Sequence, residues 1–294
     1  MVRSYAFAVR FARIGAAIVA INWPGIVVGA ASASGGVVAA APASSPNWAG
    51  YVVEDLAGVP VAFTSVTASW LQPKASCASG AASSAFWVGL GGYGPAATGL
   101  LQIGTDTDCT AAHEPKYYAW YDIPPNEGVL LRLKVAARDA LTASVTMNSA
   151  RTEVLFRIAN RTTGLSYSKR LPVSSPDLTS AEWIAEAPVA CNASGCRTVR
   201  LADFGSVAFT NVAAAAGGHE GTITHGGWTA VPIRLDPNAQ QQQLFSPGLS
   251  SPGPPASTAG AAPKDLAAGG SSFRILWTAH ASPPSNPRIA AVRR

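Results

Sequence analysis

Two residues in this chain have side chains suited to opening an amide bond, and they stand on separate stretches. Glu186 ends the run Ser180-Ala181-Glu182-Trp183-Ile184-Ala185-Glu186-Ala187-Pro188, and Gln102 lies within Leu100-Leu101-Gln102-Ile103-Gly104. Amide hydrolysis needs a water made nucleophilic, a stabilised oxyanion and a proton for the leaving nitrogen. A glutamate accepts the water's proton and returns it to the amine. A glutamine cannot titrate, but its NH2 donates to an oxyanion while its carbonyl orients a water. Read as a strand, the first run points residues 182, 184 and 186 one way and Trp183 and Ala185 the other. Glu182 therefore shares the face of Glu186, and Pro188 closes the run as it would an edge strand.

Other chemistries find less support. Gly89-Leu90-Gly91-Gly92-Tyr93-Gly94 fits a dinucleotide pattern, but Pro95 follows where a helix N-terminus should be, so it reads as a turn. His219-Glu220 and His225 lack the i, i+4 helical spacing of a zinc protease, and His113-Glu114 has no second histidine. There is no Gly-x-Ser-x-Gly elbow, and neither Asp-Thr-Gly nor Asp-Ser-Gly occurs. A Ser-His-Asp triad has no visible partners for its histidine. No metal and no cofactor is expected.

The elements that must position these residues are short strands. Trp48–Val53, Val59–Trp70, Phe86–Leu90, Leu100–Ile103, Tyr117–Tyr121, Val129–Val135, Leu141–Met147, Thr152–Ile158 and Leu165–Leu171 read as strands, with Asn160–Gly164 a hairpin loop before the last. Glu182–Glu186, Val207–Thr210, Gly221–Thr229 and Phe273–Thr278 continue the series. Helical periodicity is missing past the N-terminal region, so the class is all-β, a sandwich or barrel. Aromatics on both faces of Tyr117–Tyr121 imply that some face an open groove.

Apolar residues make up 48% of the 294 and charged residues 13%. The formal charge of +5 falls to +2 once Arg3, Arg10 and Arg13 are set aside, and no basic block suggests a nucleic-acid partner. Those arginines, the apolar stretch Ile14–Ala30 and the small residues at Ala31–Ala33 and Ala41–Ala43 read as a signal peptide. The expectation is residues 1–43 as signal and short pro-segment, 44–280 as one domain and 281–294 as a disordered tail. A low-complexity insertion is expected at 236–271, and secretion as a monomer without stable membrane association after cleavage. Four cysteines, Cys77, Cys109, Cys191 and Cys196, agree with export and allow three pairings. Cys191 and Cys196 bracket the turn-forming Asn-Ala-Ser-Gly, which favours a hairpin-closing disulfide and leaves Cys77 for Cys109. A four-cysteine zinc site would lack any Cys-x-x-Cys pair.

These stretches together resemble the glutamic endopeptidases, or eqolisins, of peptidase family G1. The resemblance rests on Asn47-Trp48-Ala49-Gly50-Tyr51, Phe86-Trp87-Val88-Gly89-Leu90, Leu100–Gly104, Tyr118-Ala119-Trp120-Tyr121-Asp122 and Ala181–Glu186, in the family's order and with a short cysteine loop after the last. It spans about residues 46–233 plus the final strand. It implies a lectin-like (concanavalin A-like) β-sandwich of two antiparallel sheets and a polypeptide substrate. It implies catalytic roles for Gln102 and Glu186 and a substrate-binding cleft with Trp48, Trp87, Asp106, Trp120 and Asp122, Glu182 being a non-catalytic acid. Gly91 stands where an acid is usual, Asp122 where a glutamate is usual, and Ile123-Pro124 where a second aromatic pair is usual. No large pro-peptide is expected between the signal and Asn47. The competing expectations are a lectin-like carbohydrate-binding module without activity, and a glycosidase pairing Glu182 or Glu186 with Asp106 or Asp122.

Overall fold

β-Branched and aromatic residues alternating with small polar ones drive this chain into strands. The computed structural model describes residues 40–56, 58–95, 97–192, 195–239 and 258–280, with the backbone alone at 191–192 and 195–196. Most of the expected leader, the core of the expected insertion and the expected tail lie outside the described residues.

In chain order the strands are β1 (Ala43–Ser45), β2 (Trp48–Leu56), β3 (Phe63–Leu71), β4 (Ala82–Leu90), β5 (Leu101–Cys109) and β6 (Pro115–Asp122). There follow β7 (Val129–Lys134), β8 (Ala140–Met147), β9 (Glu153–Asn160), β10 (Leu165–Pro172), β11 (Ser180–Glu186) and β12 (Val189–Asn192). The last are β13 (Gly195–Thr198), β14 (Ser206–Ala216), β15 (His219–Gly221), β16 (Trp228–Leu235), β17 (Gly260–Pro263) and β18 (Ser272–Thr278). One layer runs β10-β9-β8-β3-β14-β18 and the other β16-β2-β11-β4-β5-β6-β7. They meet face to face where β4 and β5 pack on β8 and β11 on β3. β17 pairs with β18 and, at Leu235–Ala261, with β16, so one hydrogen-bonded path runs through both layers. The fold is the expected antiparallel sandwich. β1, which lies parallel to β16, is an exception to the antiparallel pairing.

The main core fills the space between the layers, with Trp70, Phe86, Phe156, Trp183, Phe209 and Phe273 among its residues. A second apolar cluster covers the opposite face of the β2–β11–β4 layer, around Trp48, Val52, Trp87, Leu100, Ile184 and Ile233. β4 and β11 are thus buried on both faces and read as nearly continuous buried runs rather than alternating ones. Ala40, whose N–H donates to Ala230, and Ala43 pack against that cluster, so residues 40–45 belong to the folded unit.

Four expectations need correction. β11 is not an edge strand, because β2 and β4 flank it; the strand ends at Glu186, so Pro188 constrains nothing in its ladder. The strand expected from Val59 starts at Phe63, since Val59 closes a turn on Leu56. Gly221–Thr229 is not one strand: a turn that includes Gly226 and Gly227 separates β15 from β16, and Gly227 has a φ of 70°. Within the stretch expected as a low-complexity insertion, β17 is built into the sheet and a short 3-10 turn lies at Ala268–Gly270, while 240–257 lie outside the described residues. Cys77 and Cys109 form the expected disulfide. Cys191 and Cys196 are opposed in the backbone register of the β12–β13 hairpin; their side chains lie outside the described atoms.

Candidate active site

Cross-strand register decides which side chains share a face. Three rows cross the second layer. The first runs Trp48, Glu186, Ala85, Asp106, Tyr118; the second Gly50, Ile184, Trp87, Gly104, Trp120, Leu130; the third Val52, Glu182, Gly89, Gln102, Asp122. A cleft of about 580 Å3 opens over the β4–β7 half of these rows. Trp48, Leu100, Gln102, Asp106, Tyr118, Trp120, Asp122, Leu130 and Glu186 line it, together with the turn Pro124-Pro125-Asn126-Glu127-Gly128. The sequence-derived residues Gln102, Glu186, Trp48, Asp106, Trp120 and Asp122 are therefore brought to one cavity.

Glu186 sits at the mouth end of β11 with both oxygens engaged. Trp87 Nε1 donates to Oε2 at 2.7 Å, and Asn47 Nδ2 donates to Oε1 at 2.9 Å. Asn47 is held in turn through the Ser45 hydroxyl, and its carbonyl accepts from the Ala187 N–H. Burial pushes the Glu186 carboxyl up to about 8, and Asp106 adds to the push, while the side chains of Trp87, Trp48 and Asn47 oppose it. Its neutral form is therefore the main one in acid.

Asp106 faces Glu186 over the small Ala85 and accepts from the Ser83 hydroxyl at 2.9 Å. Burial first, then Asp108, raises its carboxyl to about 7. Gln102 Nε2 donates to Asp122 Oδ2 at 3.0 Å. Burial raises Asp122 to about 6, opposed by the hydrogen bond from Gln102 and by the Ile123 backbone, which lies near enough to temper the shift but not in hydrogen-bonding geometry. Glu182 is fully buried, and burial holds its carboxyl well above the usual range. Ser180 lies near enough to temper that shift but not in hydrogen-bonding geometry, and both Glu182 oxygens lack a donor among the described residues.

Trp87, expected in the cleft wall, lies beneath it. It is completely buried, stacks edge-on against Trp48 at a centroid distance of 4.8 Å, and reaches the cleft only through its bond to Glu186. Its indole fits because Gly89 and Gly104 beside it have no side chains: a Cβ on Gly89 would sit 2.9 Å from the ring, and one on Gly104 2.5 Å from Trp87 Cβ. Asn47, Glu127 and Leu130 join the site without having been expected there. Asn47 had a visible signal, an amide directly before Trp48, but nothing local tells that it meets a residue 139 positions away. No cluster of three or more metal-ligating side chains exists among the described residues.

The sequence profile of the Peptidase A4 family matches residues 46–245. Aspergillopepsin-2 of Aspergillus niger is 30% identical over 207 residues, which cover 59% of this chain and 66% of that protein, just under two thirds of the relative's length. Scytalido-glutamic peptidase, solved with a transition state analog inhibitor, superposes with a TM-score of 0.58 at 23% identity, over 79% of this chain and 98% of that one. SCP-B, a member of the eqolisin family solved with the tripeptide Ala-Ile-His, gives 0.53 at 24% identity over the same shares. The two structures speak to the fold; the profile, matching more than half of the residues, speaks to descent: this chain belongs to the Peptidase A4 family, the glutamic endopeptidases.

Proposed function

We propose that this protein is a secreted, acid-acting endopeptidase that hydrolyses peptide bonds with Glu186 and Gln102. The observation that carries the reading is Glu186, fixed by N–H donors on both oxygens at the wall of a cleft that Gln102 also lines. Family membership supports the reaction class, and the leader-like N-terminus supports export.

The chemistry follows from the neutral state of Glu186 in acid. One carboxyl oxygen gives its proton to the scissile carbonyl oxygen as the other takes a proton from the attacking water. The water oxygen bonds to carbon, and Glu186 ends as it began. The Gln102 amide donates to the carbonyl oxygen as charge gathers there. In the second step Glu186 protonates the nitrogen, the C–N bond breaks, and a hydroxyl proton of the intermediate returns to Glu186. Such a cycle needs a protonated Glu186, so it runs on the acid side of the Glu186 titration and weakens as pH rises through it. Trp120 and Leu130 offer apolar surface to substrate side chains, and the buried Trp48 backs the cleft behind Glu186.

The test is cleavage of a denatured protein by the purified chain, scanned from roughly pH 2 to 7 around the ordinary carboxyl values. Acid cleavage by the wild type, reduced about 10²–10³-fold or more in Glu186→Gln and Gln102→Ala, is expected. Wild-type activity in a folded Glu186→Gln variant would sink the reading.

A further inference from the structure

The acids of the cleft are not equivalent, because Asp122 alone is hydrogen-bonded to Gln102. The two residues are register partners on β5 and β6, joined by the single bond from Nε2 to Oδ2 at 3.0 Å. Their remaining acceptors, Gln102 Oε1 and Asp122 Oδ1, are both buried and have no donor among the described residues. Two orphan acceptors around one bond is an unfavourable way to place an amide against a carboxylate.

A half-turn about the terminal torsion exchanges the amide oxygen and nitrogen, and that torsion is soft. We propose that Asp122 is a positioning residue whose charge sets which way the Gln102 amide faces. As a carboxylate it captures Nε2. As a neutral acid it donates its O–H to Oε1 after the half-turn, and Nε2 is released with both N–H groups. The orphaned Oε1 gains a donor in that state. A second effect has the same sign: an ionised Asp122 sets a negative charge behind the group that must stabilise an oxyanion, and a neutral one does not.

The surroundings favour the neutral acid. The other titratable groups on this cleft are Asp106 from β5, Tyr118 from β6, Glu127 from the turn before β7 and Glu186 from β11; no Lys, Arg or His lines it among the described residues. No cation therefore holds Asp122 ionised, and burial raises its carboxyl to about 6. Asp122 is then the first of the three raised acids of the cleft to ionise as pH rises, ahead of Asp106 and Glu186.

This inference rests on the peptidase reading, and its test separates the two. Asparagine at 122 is neutral at every pH, and its NH2 donates to Oε1 as the acid's hydroxyl does. The kcat of the wild type is expected to fall above about pH 6, and Asp122→Asn to move that limb up by about one pH unit or more, with KM nearly unchanged. A folded variant whose limb stays in place overturns the proposal. In the wild type, the side-chain amide nitrogen resonance of Gln102, followed from roughly pH 4 to 8, should step with the loss of kcat; a flat trace overturns the proposal without any variant. A wild type that cleaves nothing at any pH overturns the peptidase reading instead, and the amide trace then decides the Asp122 coupling on its own.

Discussion

The indole nitrogen of Trp87 lies 2.7 Å from Oε2 of Glu186, yet the rest of the Trp87 ring is sealed from the cleft. A residue so placed acts on the reaction only through the carboxyl that it holds. Trp87→Phe keeps an aromatic side chain but deletes the N–H together with the five-membered part of the indole. Steady-state kinetics should then show kcat down by about 10-fold or more, the scale of a lost bond to an ionisable group, with KM nearly unchanged. A rise in KM at constant kcat would place Trp87 in the cleft wall after all.

Stability should depend on pH with a definite sign. Glu182, Asp106, Asp122 and Glu186 all have folded-state values above the ordinary carboxyl range. The folded chain therefore holds protons that the unfolded chain releases. Their contribution is greatest below about pH 4 and is lost as pH climbs toward the folded values, at up to about 1.4 kcal/mol per pH unit for each group in its window. Thermal unfolding is expected at a higher temperature at pH 4 than at pH 7. The opposite order would mean that these carboxyls are not shifted as a set.

Gly104 tests the floor of the site. A Cβ there would stand 2.3 Å from the Phe86 carbonyl oxygen and 2.5 Å from Trp87 Cβ, neither being the end of a flexible side chain. Gly104→Ala should cost about 1–3 kcal/mol, as overpacking does, read as a lower midpoint in urea at constant m-value. An alanine variant of native stability would show that β4 and β5 can part without loss.

The disulfide Cys77–Cys109 closes a loop of sequence separation 32 at the C-terminal end of β5. Replacing both cysteines by alanine should remove about 2–4 kcal/mol, measured by denaturant unfolding. Because both cysteines lie in a small apolar cluster apart from the cleft, KM of the folded variant should stay close to that of the wild type.

Much of this was legible in the residue order. Alternation along β11 puts 182, 184 and 186 on one face, and Ile184 indeed joins Trp48 and Trp87 while Trp183 and Ala185 join the inter-layer core. The mixed aromatics of β6 divide as expected, Tyr118 and Trp120 to the cleft and Tyr121 to the core. What could not be read was neighbourhood. Period-two alternation tells which way a side chain points but not whether that side is covered, so a central β11 looked like an edge. Glu182 gave no sign that it would be wholly buried. Trp87 looked like groove material for the same reason: sequence shows its size but not the bare Gly89 and Gly104 into whose space it fits. β17 was hidden in a Gly/Ala/Pro-rich stretch because its pairing, not its composition, makes it a strand.

The path that joins the two layers has a consequence for how the molecule is made. β2, β4, β5, β6, β7 and β11, which carry the cleft, are all synthesised before residue 187, yet the seam between the layers is closed by β17 and β18, near the end of the described chain. A nascent chain emerging N-terminus first holds the whole reactive surface but lacks the strands that lock one layer to the other. Long-range pairing of this kind is slow to form. The two layers are then joined late in synthesis, and a chain cut short before residue 260 carries its acids and its glutamine on a sheet whose margin at β16 lacks β17 and is open to edge-to-edge association.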